Sequence, residues 1–176
     1  GVRAATMAAV AEAKQKGALI SFDPNLRPPL WESLEDAKEQ VRWGLGQCDI
    51  LKISDNEIQW LTGEESYTKG VEKIRRECSI PLILVSMGRD GSRAYYQVEA
   101  PPFIQEHTIE TTGAGDTFCA CVLNYVLEHG LENLSAENLT EMLTFANAAA
   151  SLITTRKGAL RVMPEREEVV RLMKER

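Results

Sequence analysis

Residues 111–116, Thr-Thr-Gly-Ala-Gly-Asp, set two glycines and a carboxylate directly before an apolar stretch from Thr117 to Leu127. Glycine lets backbone N–H groups approach a ligand closely, and a helix start carries about half a positive charge. Together these describe an anion site built from backbone donors. The apolar stretch is broken only by Asn124, so it reads as a helix buried on nearly every face, with its start aimed at whatever the glycines leave room for. Asp116 has two readings there: the N-cap of the helix, or a catalytic carboxylate beside the anion. Position 119 is Cys, so no capping box forms, and two glycines are more than a cap requires. The catalytic reading is the preferred one.

Further polar groups follow each short apolar run. Asp23-Pro24-Asn25-Leu26-Arg27 follows the first, Ser54-Asp55-Asn56-Glu57 the second, and Ser86-Met87-Gly88-Arg89-Asp90-Gly91 the third. In open α/β sheets ligands bind beyond the carboxyl ends of the strands, so these segments are expected to supply a phosphate site with a metal nearby. Each residue also has a plainer reading. Arg27 can be a solvated loop residue, and Glu57 an acid favoured by a helix dipole. Gly88 and Gly91 can simply turn the chain, Asn147 can be a satisfied half-buried amide, and Lys157-Gly158 an ordinary helix stop. No GxxxxGK[ST] is present, and Phe118 stands where GxGxxG needs its third glycine, so any phosphate loop here has another design.

The elements that must carry these residues alternate. Helices are expected over residues 3–16 up to Gly17, over 33–45 with Ser33 as cap, from Asp55 to Leu61 before Gly63, and from Tyr67 to Glu77. Buried strands are expected at 18–22, 49–53 and 81–86. Residues 92–98 and Pro101-Pro102-Phe103 read as a hairpin after the turn at Arg89-Asp90-Gly91. Three helices close the chain, from Thr117 to Glu128, about Ala136 to Thr155, and Pro164 to Lys174. This spacing predicts one α/β domain with a mostly parallel sheet and helices on its faces.

Composition narrows the classes. The chain has 176 residues, 44% hydrophobic and 26% charged, and a net charge of −6, which argues against nucleic acid or an anionic membrane as partner. No apolar run approaches ~20 residues and no leader pattern opens the chain, so a cytoplasmic location is expected. Cys48, Cys78, Cys119 and Cys121 show no CxxC spacing and read as structural thiols. His107 and His129 alone leave zinc chemistry or a Ser-His-Asp triad little to work with. The chain opens at Gly1 within a helical pattern and reads as the remainder of something longer.

The segment Glu110-Thr111-Thr112-Gly113-Ala114-Gly115-Asp116-Thr117-Phe118 resembles the D-T-T-G-A-G-D-x-F signature of the PfkB, or ribokinase-like, carbohydrate kinases at all but its first position. Asn147-Ala148-Ala149-Ala150 with Thr155 to Ala159 resembles that family's closing motif. Ser21 to Trp31 is similar to the branch of fructokinases and 2-keto-3-deoxygluconate kinases. The resemblance covers essentially the whole chain and implies a ribokinase-like three-layer, Rossmann-like α/β fold, with residues 1–176 as the C-terminal, ATP- and phosphate-binding part of the kinase domain. The family's N-terminal half and its lid are not among these residues.

The implied activity is phosphoryl transfer from ATP to a sugar hydroxyl, fructose to fructose 6-phosphate first, with 2-keto-3-deoxygluconate kinase or a catalytically inactive nucleotide-binding piece as alternatives. Asp116 would be the base, and the N–H groups of Gly113, Ala114 and Gly115 the anion hole. Ser86, Gly88 and Gly91 would touch ATP phosphates; Asn147, Lys157 and Gly158 would lie on the adenine side. Arg27 would reach the substrate, and Glu57 would support Mg²⁺ through water. Glu110 and Thr112 fall at the family's monovalent-cation site, where Glu110 in place of Asp and Val162 in place of a hydroxyl ligand argue against potassium. Ser54 replaces the Asn of N-x-x-E. Expected partners are a small-molecule sugar and ATP, with a homodimer for the whole protein. Without a lid to exclude water, these residues alone are expected to turn over little.

Overall fold

A computed structural model describes residues 1–96, 98–100, 109 and 111–175. They form two compact units, Gly1–Leu84 and Val85–Arg176.

In the first unit, helix α1 (Val2–Gln15) is followed by strand β1 (Ser21–Phe22), helix α2 (Leu34–Leu45), strand β2 (Ile50–Ser54), helices α3 (Asp55–Thr62) and α4 (Tyr67–Glu77), and the first residues of strand β3 (Leu82–Ser86). The strands run in the order β1-β2-β3, with β1 and β2 parallel. Ser33 caps α2 as expected, its side chain accepting the Asp36 N–H, and α3 stops at Gly63 with φ +75°. The first four residues of β2 and of β3 are all buried. Since alternate side chains point to opposite faces, both faces of the sheet are covered there. Gly44 brings α2 onto the Phe22 ring, and Gly70 brings α4 onto Ile58 of α3. Surface helix α1 buries none of its residues and is held to α2 by Arg3, whose Nη2 donates to both carboxylate oxygens of Asp36 at 2.7 and 3.0 Å.

The strand expected at 18–22 is only two residues long. The N–H of Ala18 still bonds to Ala13 O of the preceding helix, and the Ile20 N–H is diverted to the Asp49 carboxylate at 2.7 Å, so Ile20 bonds to the neighbouring strand through its carbonyl alone, which accepts the Asp49 and Ile50 N–H groups.

The second unit holds the end of β3, strands β4 (Ser92–Tyr95) and β5 (Val98–Ala100), and helices α5 (Ala114–His129), α6 (Ala136–Thr154) and α7 (Arg166–Lys174). Its strand order is β3-β4-β5, and β4 pairs antiparallel with β5 with Ser92 opposite Ala100 and Ala94 opposite Val98. The run expected to be a single strand up to Val98 therefore ends as a strand at Tyr95, and Val98 already belongs to the returning strand. The expected partner of that run, Pro101-Pro102-Phe103, lies outside the described residues. Helix α6 packs against α5, α7 and the hairpin.

Helix α5 departs from expectation twice. It begins at Ala114, with Gly113 at φ +83° as N-cap, so Asp116 is its third residue and not its cap. Nor is it buried all round. Thr117, Phe118, Val122 and Val126 are buried, whereas Leu127 is 80% exposed, because α6 covers one side of the helix. Among the described residues no helix is long and apolar enough to cross a membrane.

Candidate active site

The first unit contributes the Asp23 to Arg27 turn and the β2–α3 junction. Parallel pairing sets Ser21 beside Ile50 and Phe22 beside Leu51, so the next pair along is Asp23 and Lys52. Lys52 Nζ meets Asp23 Oδ2 at 2.9 Å, with the lysine side chain 9% exposed. Burial pushes the Asp23 carboxyl above its ordinary range; the Lys52 ammonium pulls it back down, and the charge of Glu57 adds to the rise. The other oxygen, Oδ1, is buried without a partner among the described residues.

Glu57 is occupied by structural bonds. Its Oε2 accepts from Ser54 N at 2.9 Å and Ser54 Oγ at 2.8 Å, and its Oε1 accepts the Leu26 N–H at 2.7 Å. With Ser54 Oγ accepting the Glu57 N–H, this is a reciprocal capping box at the start of α3. Three of the roughly four lone-pair sites of the carboxylate are thus taken. Arg27 is exposed and folds over its own turn, Nη1 donating to Asn25 O at 3.4 Å and Leu26 O at 3.1 Å. Asn25 holds φ +42°, a left-handed conformation that Asn tolerates.

In the second unit, Thr117 N donates to Gly113 O at 2.8 Å as the first bond of α5, and Ala114 N donates to Thr111 O at 3.2 Å. Of the expected donors, Ala114 is thus engaged within its own turn. The N–H groups of Gly115 and Asp116 are the ones a helix start leaves for a ligand. Asp116 is exposed. A Cβ on Gly113 would lie 3.3 Å from Ile153 Cδ1 and 3.6 Å from Ala159 Cβ, so this helix start and the turn after Gly158 are brought together. Gly158 holds φ +126°, and Lys157 is exposed.

Ser86 ends β3. Beyond it Gly88 (φ +55°) and Gly91 (φ +87°) close a tight turn, with Met87 N bonded to Gly91 O at 2.8 Å. Asn147, on α6, is buried, and its Oδ1 accepts from Ser92 Oγ at 2.7 Å. Thr112 is exposed in the turn before α5, while Glu110 lies outside the described residues. Among the described residues no group of three or more His, Cys, Asp and Glu side chains is placed to hold a metal. A groove of about 920 Å³ between α5, α6 and α7 is lined by Thr117, Cys121, Tyr125, Phe145 and Met173 among others, and by none of the expected site residues.

Sequence reasoning missed the Asp23–Lys52 pair. Its signal was a lysine inside the otherwise apolar run Ile50-Leu51-Lys52-Ile53. It also missed the capping box, although Ser54-x-x-Glu57 spells one.

Strands that end in glycine-rich or acidic turns, and a glycine-capped helix start, define an α/β protein of the ribokinase-like class. The chain belongs to the pfkB family of carbohydrate kinases, whose model matches residues 1–166. Fructokinase-1 of Zea mays is 36% identical over 174 residues, 97% of this chain and 54% of that protein. The crystal structure of fructokinase from Vibrio cholerae O395 with fructose, ADP and calcium ion bound aligns with a TM-score of 0.88 at 30% identity, over 97% of this chain and 56% of its own. Fructokinase from Xylella fastidiosa with bound ATP gives 0.85 at 26% identity, over 97% and 56%. The chain spans about half the length of these relatives.

Proposed function

We propose that residues 1–176 are the C-terminal, ATP- and phosphate-binding part of a sugar kinase that transfers the terminal phosphoryl group of ATP to fructose, giving fructose 6-phosphate. The observation that carries this reading is the start of α5. Gly113 at φ +83° caps the helix, so the N–H groups of Gly115 and Asp116 and the Asp116 carboxylate share its first turn. Phosphoryl transfer is mainly positioning and electrostatic stabilisation, and a helix start aimed at the equatorial oxygens supplies both. The Asp116 carboxylate takes the proton of the attacking hydroxyl.

Gly113, Ala114 and Gly115 form the wall of the anion hole. The turn from Ser86 through Gly88 to Gly91 faces the ATP phosphates. Asn147 and the Lys157-Gly158 turn belong to the adenine side, and Arg27 reaches the substrate. Mg²⁺, when bound, neutralises the phosphates, and Glu57 supports it through water, consistent with the bonds its oxygens already make. The Vibrio cholerae fructokinase with fructose and ADP and the Xylella fastidiosa fructokinase with ATP support this choice of ligands.

Titration calorimetry with MgATP, beside a coupled assay of fructose-dependent ADP formation, tests the proposal. The 176-residue chain is expected to bind MgATP, and Asp116→Asn to retain that binding while losing ~10²–10⁴-fold of whatever turnover is present. Failure to bind MgATP, or an Asp116→Asn variant with undiminished turnover, overturns the proposal. These residues alone are expected to turn over far below ~1–100 s⁻¹.

A further inference from the structure

The first unit ties the segment after β1 to β2 twice, and both ties leave one face of β2. Lys52 and Ser54 are two residues apart on the strand, so their side chains project to the same side. Lys52 holds Asp23 at 2.9 Å. Ser54 Oγ donates to Glu57 Oε2 at 2.8 Å, and the other oxygen of Glu57 takes the Leu26 N–H at 2.7 Å. Backbone pairing gives the turn little support, because β1 ends at Phe22. Among the described residues the Arg27 guanidinium bonds only to carbonyls of that same turn, so wherever the turn is held, the guanidinium goes with it.

A buried ion pair is weak evidence for a role in stability. Burying a lysine and a carboxylate costs desolvation that their attraction scarcely offsets, and hydrophobic residues in the same places are often as stable or more so. Here one carboxylate oxygen is buried without a partner, which adds to the cost. What an ion pair supplies that a leucine would not is direction, since it is satisfied in one geometry.

We propose that Asp23 and Lys52 are positioning residues: their ion pair, acting with the Ser54–Glu57 bracket, fixes the Asp23 to Leu26 turn against β2 and so sets where the Arg27 guanidinium meets the substrate. That Arg27 meets substrate rests on the kinase reading; the fixing of the turn does not.

Amide hydrogen exchange followed by NMR on the whole chain tests this, comparing Leu26 in the turn with Ile53 in β2. In the double variant Asp23→Asn, Lys52→Met, which removes both charges, Leu26 is expected to exchange about tenfold faster or more while Ile53 changes by less than about twofold. Asp23→Asn alone, which nearly keeps the side chain's size, is read in the same way if the double variant does not fold. Unchanged protection of Leu26, or loss at Ile53 in equal proportion, overturns the proposal, the second because it marks a merely structural pair. Calorimetry with MgATP on the same samples keeps the two readings apart. Wild type that fails to bind ATP overturns the kinase reading and leaves the exchange result intact.

Discussion

Ser92 Oγ donates a hydrogen bond to Asn147 Oδ1 at 2.7 Å and so joins β4 to α6 in the interior of the second unit, with the two residues 2% and 7% exposed. Ser92→Ala removes this donor from a buried amide oxygen. The expected loss is about 1–3 kcal/mol, read as a lower urea midpoint at unchanged slope. Because Asn147 is proposed to face the nucleotide, weaker MgATP binding is expected to accompany it. A midpoint within error of wild type would show that the bond is not made in solution.

Gly70→Ala tests the contact of α3 with α4. In an exposed helix this change stabilises by about 1 kcal/mol. At Gly70 the added Cβ would lie 2.2 Å from Ile58 Cγ2, and Ile58 is fully buried. Overpacking of this kind costs about 1–3 kcal/mol, so the sign reverses and the variant melts below wild type.

Gly113→Ala tests the start of α5. The residue would have to keep φ +83° with a Cβ 3.3 Å from Ile153 Cδ1. Left-handed backbone costs a residue other than glycine about 1–2 kcal/mol. If α5 shifts to relieve the strain, its first N–H groups move with it, and MgATP affinity falls by more than stability alone explains. Calorimetry of the folded variant reads this directly.

Cys48 gives a pH dependence. Burial pushes its thiol up to about 12 from an ordinary 9.0. The unfolded chain therefore loses this proton near pH 9 while the folded chain keeps it, so the unfolded state binds fewer protons and stability falls as pH rises from about 9 towards 12. Cys48→Ala is expected to lose less stability than wild type between pH 9 and 11 in parallel urea titrations. At pH 8 the native Cys48 resists alkylation and becomes reactive on unfolding.

Local features of the chain were largely legible. Helix α4 runs from Tyr67 to Glu77, the expected bounds, and Ser33 and Gly63 punctuate α2 and α3 as their residue types suggest. The start of α5 was misplaced by three residues. Ala114, Gly115 and Asp116 carry no apolar periodicity, and the cap is a glycine acting through backbone conformation, while Asp116 imitates a cap in the sequence alone. The capping box at Ser54 and Glu57 was written in the sequence; the bond from Leu26 to the same carboxylate, 31 positions away, was not.

The chain's own residue order determined where helices and strands lie and which turns are rich in glycine and acid, because propensities, caps and turn conformations act over a few neighbours. Tertiary structure decided that Asp23 meets Lys52, that Glu57 reaches Leu26, that Asn147 is held by Ser92, and that Gly113 lies against Ala159. Those contacts depend on strand register and on how closely two backbones approach, quantities that arise only when segments far apart in the chain are packed together.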